Sequence, residues 1–263
     1  MSGSAATCNA PHGVSCCPAL PCDAASLHGG RARLVATLLD HYGVASDEVR
    51  GQLLELARDS GQQDWWHSFP DAVPRWFERF MAAENSAVGV EKFETQIVPG
   101  LLQTPEYARA VLRAANTSLD DDEIDRRVTV RMERQKRLTG EEPLTLWAVL
   151  DESVLRRHVG GVDVMRAQLD HLAVCATRPN ITIQVLPFAL GAYAAFGFPF
   201  TIMAFPGVAG GEVVHMDQLH SGLYLEREPD LRRYKLAMNR LRAAALDPER
   251  SRELIVEAVE ALA

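Results

Sequence analysis

The first thirty residues contain no lysine, no arginine and no glutamine, and Asp23 is their only charged side chain. Nucleic-acid binding needs cations that neutralise phosphates and side chains that read base edges, so this stretch lacks the chemistry for either task. Long apolar runs are also missing. Nothing approaches the roughly 18 consecutive apolar residues of a membrane-spanning helix. The amino terminus has neither the basic start nor the apolar segment of a secretory signal, and a cytoplasmic protein is expected. Cysteine is scarce outside one cluster: of five, four are Cys8, Cys16, Cys17 and Cys22. An odd total argues against a closed disulfide framework. The cluster also lacks the paired C-x2-C spacing that lets two thiolates hold one zinc ion. No phosphate loop or defined nucleophile is present, so no catalytic residue, cofactor or metal is assigned.

What is present suits a folded protein. The 263 residues are 47% hydrophobic and 24% charged, enough to bury a full core without disulfides or metals. A formal net charge of -8 gives the bulk of the chain a field that repels phosphate rather than attracting it.

Residues 1–30, rich in Ser, Ala, Gly, Pro and Cys, show no period and are expected to be a disordered tail. From Arg31 a helical pattern places Leu34, Leu38 and Tyr42 on one face, with Gly43 as its stop. Ser46 then caps a second helix. An aromatic stretch (Trp65, Trp66, Phe69) precedes a helix from about Asp71 that carries Trp76, Phe77, Phe80 and Met81. Phe93 to Val98 reads as a strand. Pro105 opens a helix to about Ala115, and Ser118 opens the next, whose arginines, interleaved with acids, read as a solvated, self-paired surface. Leu144–Leu150, Ile181–Leu186, Phe198–Phe205, Glu212–Met216 and Leu223–Leu225 are strand candidates, with a helix capped by Asp163 among them. Two helices close the chain, the second capped by Asp247. Short-turn strands with helices clustered before and after predict an α+β fold, a largely antiparallel sheet flanked by helices, preceded by a helical segment (31–60) and the tail; residues 61–263 form the main domain.

Several places offer polar or aromatic chemistry. Trp65 and Trp66 suit a core or a ligand wall. Asp151 and Glu152 end an apolar strand and supply two close carboxylates. Tyr193 and Phe196 sit on the glycine-rich, aromatic 191–199 stretch, which has the composition of a lid. These six residues are the candidate ligand or partner surface. His215, Asp217 and His220 invite a metal reading, but strand parity puts His220 on the opposite face from the other two. Cys175 reads as a small buried apolar residue.

Taken in order, Leu39-Asp40-His41-Tyr42-Gly43-Val44, Trp65-Trp66, Glu94-Thr95-Gln96-Ile97-Val98-Pro99-Gly100-Leu101-Leu102-Gln103-Thr104, Tyr107-Ala108-Arg109-Ala110, Leu146-Trp147-Ala148-Val149-Leu150-Asp151-Glu152, Val185-Leu186-Pro187-Phe188 and Gly222-Leu223-Tyr224-Leu225 form a recognisable series. It resembles the domain of unknown function that follows a Cro/repressor-type (XRE) helix-turn-helix in actinobacterial regulators, including WhiJ-like, antitoxin-like proteins. The resemblance implies a cytoplasmic transcription factor with no established catalytic residues. It also implies a small partner protein encoded nearby, with homodimerisation as a further expectation. Only the helix at about Arg33–Gly43 resembles the end of the family's helix-turn-helix, so the start reads either as truncated or frame-disrupted or as that of a genuine regulator that has lost its DNA contacts. The expected function is a non-catalytic effector- or partner-binding module, with DNA a partner only if an intact helix-turn-helix is restored. The alternative is a small-molecule sensor or cryptic hydrolase using the 191–199 loop.

Overall fold

A computed structural model describes residues 24–59, 65–69, 72–207 and 211–262. The expected disorder of 1–23 and the Cys8, Cys16, Cys17, Cys22 cluster lie outside them. The chain divides into two compact units, 1–62 and 63–263.

The first unit is a helical pair, α1 (Ala24–His41) and α2 (Asp47–Asp59). Helix α1 starts earlier than its apolar period, over residues expected to be disordered. Its end matches the sequence. Gly43 takes φ +65°, its N–H donates to Asp40 O, and the Val44 N–H donates to Leu39 O, satisfying carbonyls the last turn leaves open. Ser46 Oγ accepts from the Val49 N–H at 3.4 Å, as an N-cap should. Arg50 ties the pair together through Asp40 (2.6 Å) and the Val44 carbonyl. The face shared by Leu34, Leu38 and Tyr42 is exposed, and Leu39 is buried.

The second unit is α+β. Its six strands, β1 (Gly89–Glu94), β2 (Thr145–Asp151), β3 (Ile181–Leu186), β4 (Phe200–Ala204), β5 (Glu212–Asp217) and β6 (Gly222–Leu225), form one mixed sheet in the order β3-β2-β1-β4-β5-β6. The pairs β1–β2 and β2–β3 are parallel, and the other three are antiparallel. Its helices are α3 (Arg75–Ser86), α4 (Pro105–Ala115), α5 (Asp121–Gln135), the short α6 (Ser153–Arg156), α7 (Val162–Cys175), α8 (Glu228–Ala244) and α9 (Pro248–Glu260).

Alternation along the strands divides the core in two. Val90, Leu146, Ala148, Leu150, Ile183, Val185 and Met203 face Met165, Leu169 and Leu172 of α7, Ile255 of α9 and Phe80 of α3. Phe93, Val149, Phe200, Ile202 and Val214 face Leu231, Met238 and Leu241 of α8. Smaller clusters join Trp66 to Met81 and Val130, and Ala108 to Ile124 and Val128. Cys175 is buried.

Several boundaries differ from the sequence expectation, each for a local reason. The first strand is Gly89–Glu94 rather than Phe93–Val98: its charged Glu91, Lys92 and Glu94 hide the β pattern, and the apolar Ile97 and Val98 belong to the bend after it. Helix α5 is opened by Asp120, not Ser118, through a reciprocal capping box with Glu123, while Ser118 bonds Asn116. Helix α7 is preceded by Gly161 at φ +95°, leaving Asp163 in the first turn. Arg134 turns inward instead of joining a solvated surface. It donates twice to Glu84 (2.7 and 2.9 Å) with both side chains buried.

Candidate functional site

Four antiparallel partners place one transverse row of side chains on the α3 side of the sheet. Lys92 pairs with Thr201, Thr201 with His215, and His215 with Tyr224. Two residues further along, Glu94 and Asp217 extend the polar surface. Here, at the carboxyl ends of β1 and β5, the apolar core gives way to a cavity of about 250 Å³. Lys92, Glu94, Thr201, His215 and Asp217 line it with the apolar Ile97, Pro199 and Phe200.

Lys92 organises the charges. Its Nζ donates to Thr201 Oγ1 at 3.2 Å, lies 3.2 Å from Glu94 Oε1 and 4.0 Å from Asp217 Oδ2. Burial alone would lower the ammonium's pKa, but Glu94 and Asp217 outweigh it and hold the group above its ordinary value. Burial pushes the Glu94 carboxyl up, and Lys92 only partly opposes that.

His215 stands out. Its imidazole lies between the rings of Phe80 and Tyr224, each 4.7 Å away by centroid, and is 1% exposed. Both ring nitrogens lack a hydrogen-bond partner, and Asp217 Oδ1 is 3.7 Å from Nε2. Burial drives its pKa down to about 4, so the ring is neutral near pH 7. Gly222 keeps the Nε2 edge clear, since a Cβ there would lie 2.4 Å from that nitrogen. A buried unpaired polar group of this kind is uncommon and requires a reason.

The residues singled out from the sequence fall in two other places. Asp151 and Tyr193 do come together: the Tyr193 hydroxyl donates to Asp151 Oδ2 at 2.5 Å, and Asp151 Oδ1 accepts from the Ser153 N–H. Burial and the adjacent carboxylate push the Tyr193 hydroxyl well above its usual range. Glu152 accepts from Arg156 and from the Phe188 N–H at 2.8 Å. Tyr193 also packs on Phe93, and Phe196 lies against Tyr193 with most of its ring exposed. These contacts fasten the 191–199 stretch to the sheet. Trp66 is buried beside Met81, with Trp65 edge-on to it, away from both carboxylates. His215 and Asp217 do share a face, whereas His220 is exposed beyond the strand. Among the described residues no group of three His, Cys, Asp or Glu side chains is arranged to hold a metal ion.

Lys92, Glu94 and Thr201 escaped the sequence reading. Their signal was the alternation Val90, Lys92, Glu94 on a central strand, where charge is costly and requires partners.

An α+β unit with a mixed sheet, helices on both faces and a charged cavity at the carboxyl ends of β1 and β5 defines the architecture. The chain belongs to the family described as Domain of unknown function (DUF5753), whose profile matches residues 77–257 and so takes in the whole cavity. No curated protein and no solved structure matches the chain. Among the described residues no helix is long and apolar enough to cross a membrane.

Proposed function

We propose that this chain is the non-catalytic accessory module of an actinobacterial helix-turn-helix transcriptional regulator and binds a small effector in the Lys92–His215 cavity. The observation that carries the reading is His215: a buried imidazole with two unpaired nitrogens on the wall of an open cavity is what a binding site needs to complete itself with a ligand. The ordered resemblance to regulators of this type supports the biological setting, and membership of a family of unknown function is compatible with it. Asp151 and Glu152, the carboxylates of the hydrolase alternative, are engaged with Tyr193, Ser153, Arg156 and Phe188, which favours a structural role for them.

The test is a melting-temperature screen against four probe classes: primary amines, carboxylates, phosphate esters and uncharged alcohols. A ligand at about a hundred times its Kd adds roughly 2.7 kcal/mol, or about 5–10 °C for a unit of this size. Silence from all four classes would end the effector reading. DNA is not a direct ligand in this account, because the chain is acidic and carries no cation before Arg31. Sequence-selective retardation of a duplex by this chain at physiological salt would contradict that.

A second reading, docking of a small partner protein encoded nearby, draws on the 188–198 stretch. Phe188, Phe196 and Phe198 are 57%, 61% and 70% exposed there. Such rings are common anchors of protein interfaces. Co-purification with the neighbouring gene's product that survives Phe196→Ser with Phe198→Ser would exclude this surface.

A further inference from the structure

The cavity wall is not neutral. Two carboxylates, Glu94 and Asp217, face one ammonium, Lys92, while His215 stays uncharged. The single cation is already shared: Lys92 reaches Glu94 and Thr201 at 3.2 Å and Asp217 only at 4.0 Å. Lys92 and His215 stand beyond hydrogen-bonding distance of Asp217, at 4.0 and 3.7 Å, and Arg131 and Arg134 act on it only electrostatically from further off. Glu94 is under-compensated too, since burial raises its pKa despite the adjacent ammonium.

The unmet needs are therefore mostly those of acceptors, set against the one unpaired N–H of the His215 ring. A neutral imidazole carries one acceptor nitrogen, and each carboxylate accepts several hydrogen bonds. Three acceptor groups around one cavity call for a donor with several N–H bonds and a positive charge. Glu94 and Asp217 both lie within 4.0 Å of the same Lys92 nitrogen, so they are near enough neighbours to share a second cation. An anion is poorly served, because the nearby arginines are committed elsewhere, Arg134 to Glu84 and Arg131 to Gln103. A metal ion lacks a ligand set among the described residues. Of the remaining lining, Ile97 and Pro199 are apolar and suit a short hydrocarbon body, while Thr95 and Gln96 are polar.

We propose that the cavity binds a small primary amine as its ammonium, held by Glu94 and Asp217 and donating a hydrogen bond to a ring nitrogen of His215, with its alkyl part against Ile97 and Pro199. This rests on the reading of the cavity as an effector site and gives that site its ligand class. Gly222 is part of the design, for any side chain there displaces the imidazole.

The experiment is calorimetric titration of the full chain with three probes of equal length: butylamine, butyrate and 1-butanol. Butylamine binds, and the other two bind at least about tenfold more weakly, since each lacks a charge-assisted donor. Asp217→Asn is the informative variant because the Asp217 side chain is half-exposed. It lowers butylamine affinity by about tenfold or more while leaving the ligand-free melting temperature within about 2 °C. Butyrate binding as tightly as butylamine, or butylamine affinity unchanged in Asp217→Asn, overturns the amine assignment and leaves an effector of another class. No heat from any of the three probes also overturns it; the effector reading itself falls only if the four-class melting screen is silent as well.

Discussion

Removing the His215 imidazole should change how stability depends on pH in a way that can be calculated. In the folded protein the ring titrates near pH 4; in the unfolded chain it titrates near its ordinary 6.5. Above about pH 6.5 neither state holds the proton and His215 contributes no pH dependence. As the pH falls from 6.5 towards 4, the unfolded chain takes up a proton that the folded protein excludes, so stability is lost across that window. At about 1.4 kcal/mol per pH unit over 2.5 units, the full loss is at most about 3.5 kcal/mol. Asp217, Lys92, Glu84, Arg79 and Tyr224 face the ring, and burial outweighs the acids that would favour its charge. Glu94 works in the opposite direction. Its raised pKa lets the folded protein protonate first, which adds stability on acidification and removes it as pH rises through the folded value. Comparing wild type with His215→Leu separates the two, because Glu94 is common to both. The assay is urea unfolding at pH 7 and pH 4.5, followed by tryptophan fluorescence. The four tryptophans, Trp65, Trp66, Trp76 and Trp147, all lie in the 63–263 unit, so the signal reports on it alone. Wild type should lose about 2 kcal/mol more than the variant between the two pH values. Equal losses would refute the claim that the ring is buried and neutral.

Other predictions follow from the same contacts. Glu84→Gln strands the buried Arg134 guanidinium and should cost about 3–5 kcal/mol, whereas the double change Glu84→Leu with Arg134→Met should cost less than the single one, both read by denaturant unfolding. Tyr193→Phe removes the 2.5 Å bond to Asp151 and should destabilise by about 1–2 kcal/mol while leaving probe binding in the Lys92–His215 cavity unchanged; a loss of binding would place the 191–199 stretch in the site.

The parts of the fold that declared themselves in sequence are those with local signals. Ile181–Leu186 alternates apolar and polar residues and is a strand with those limits. Thr104-Pro105 and Asp247-Pro248 open helices as capped starts, with Thr104 and Asp247 accepting from the chain three residues on. The mixed, largely antiparallel sheet and its flanking helices follow from such elements. Less legible were features decided by distant partners. The charged Gly89–Glu94 strand is stabilised in the middle of the sheet because β2 and β4 pair with it on either side, which no local window contains. Arg134 looked solvated until Glu84, fifty residues earlier, was placed beside it. The cavity joins Lys92 and Glu94 to His215 and Asp217 through β4, so only tertiary register brings them together. His215 and Asp217 were visible as a same-face pair, but their environment was not. Asp151 and Tyr193 were both noticed for their chemistry, and their meeting fastens a loop rather than opening a site.

The most direct test of the cavity as a binding site is to melt wild type and Gly222→Ala side by side against the four probe classes. A methyl at residue 222 would sit 2.4 Å from His215 Nε2 and must move the ring from the wall it helps to form. At least one probe class should raise the melting temperature of wild type by about 5 °C or more and fail to do so for the alanine variant. No stabilisation of wild type, or equal stabilisation of both proteins, would contradict the account.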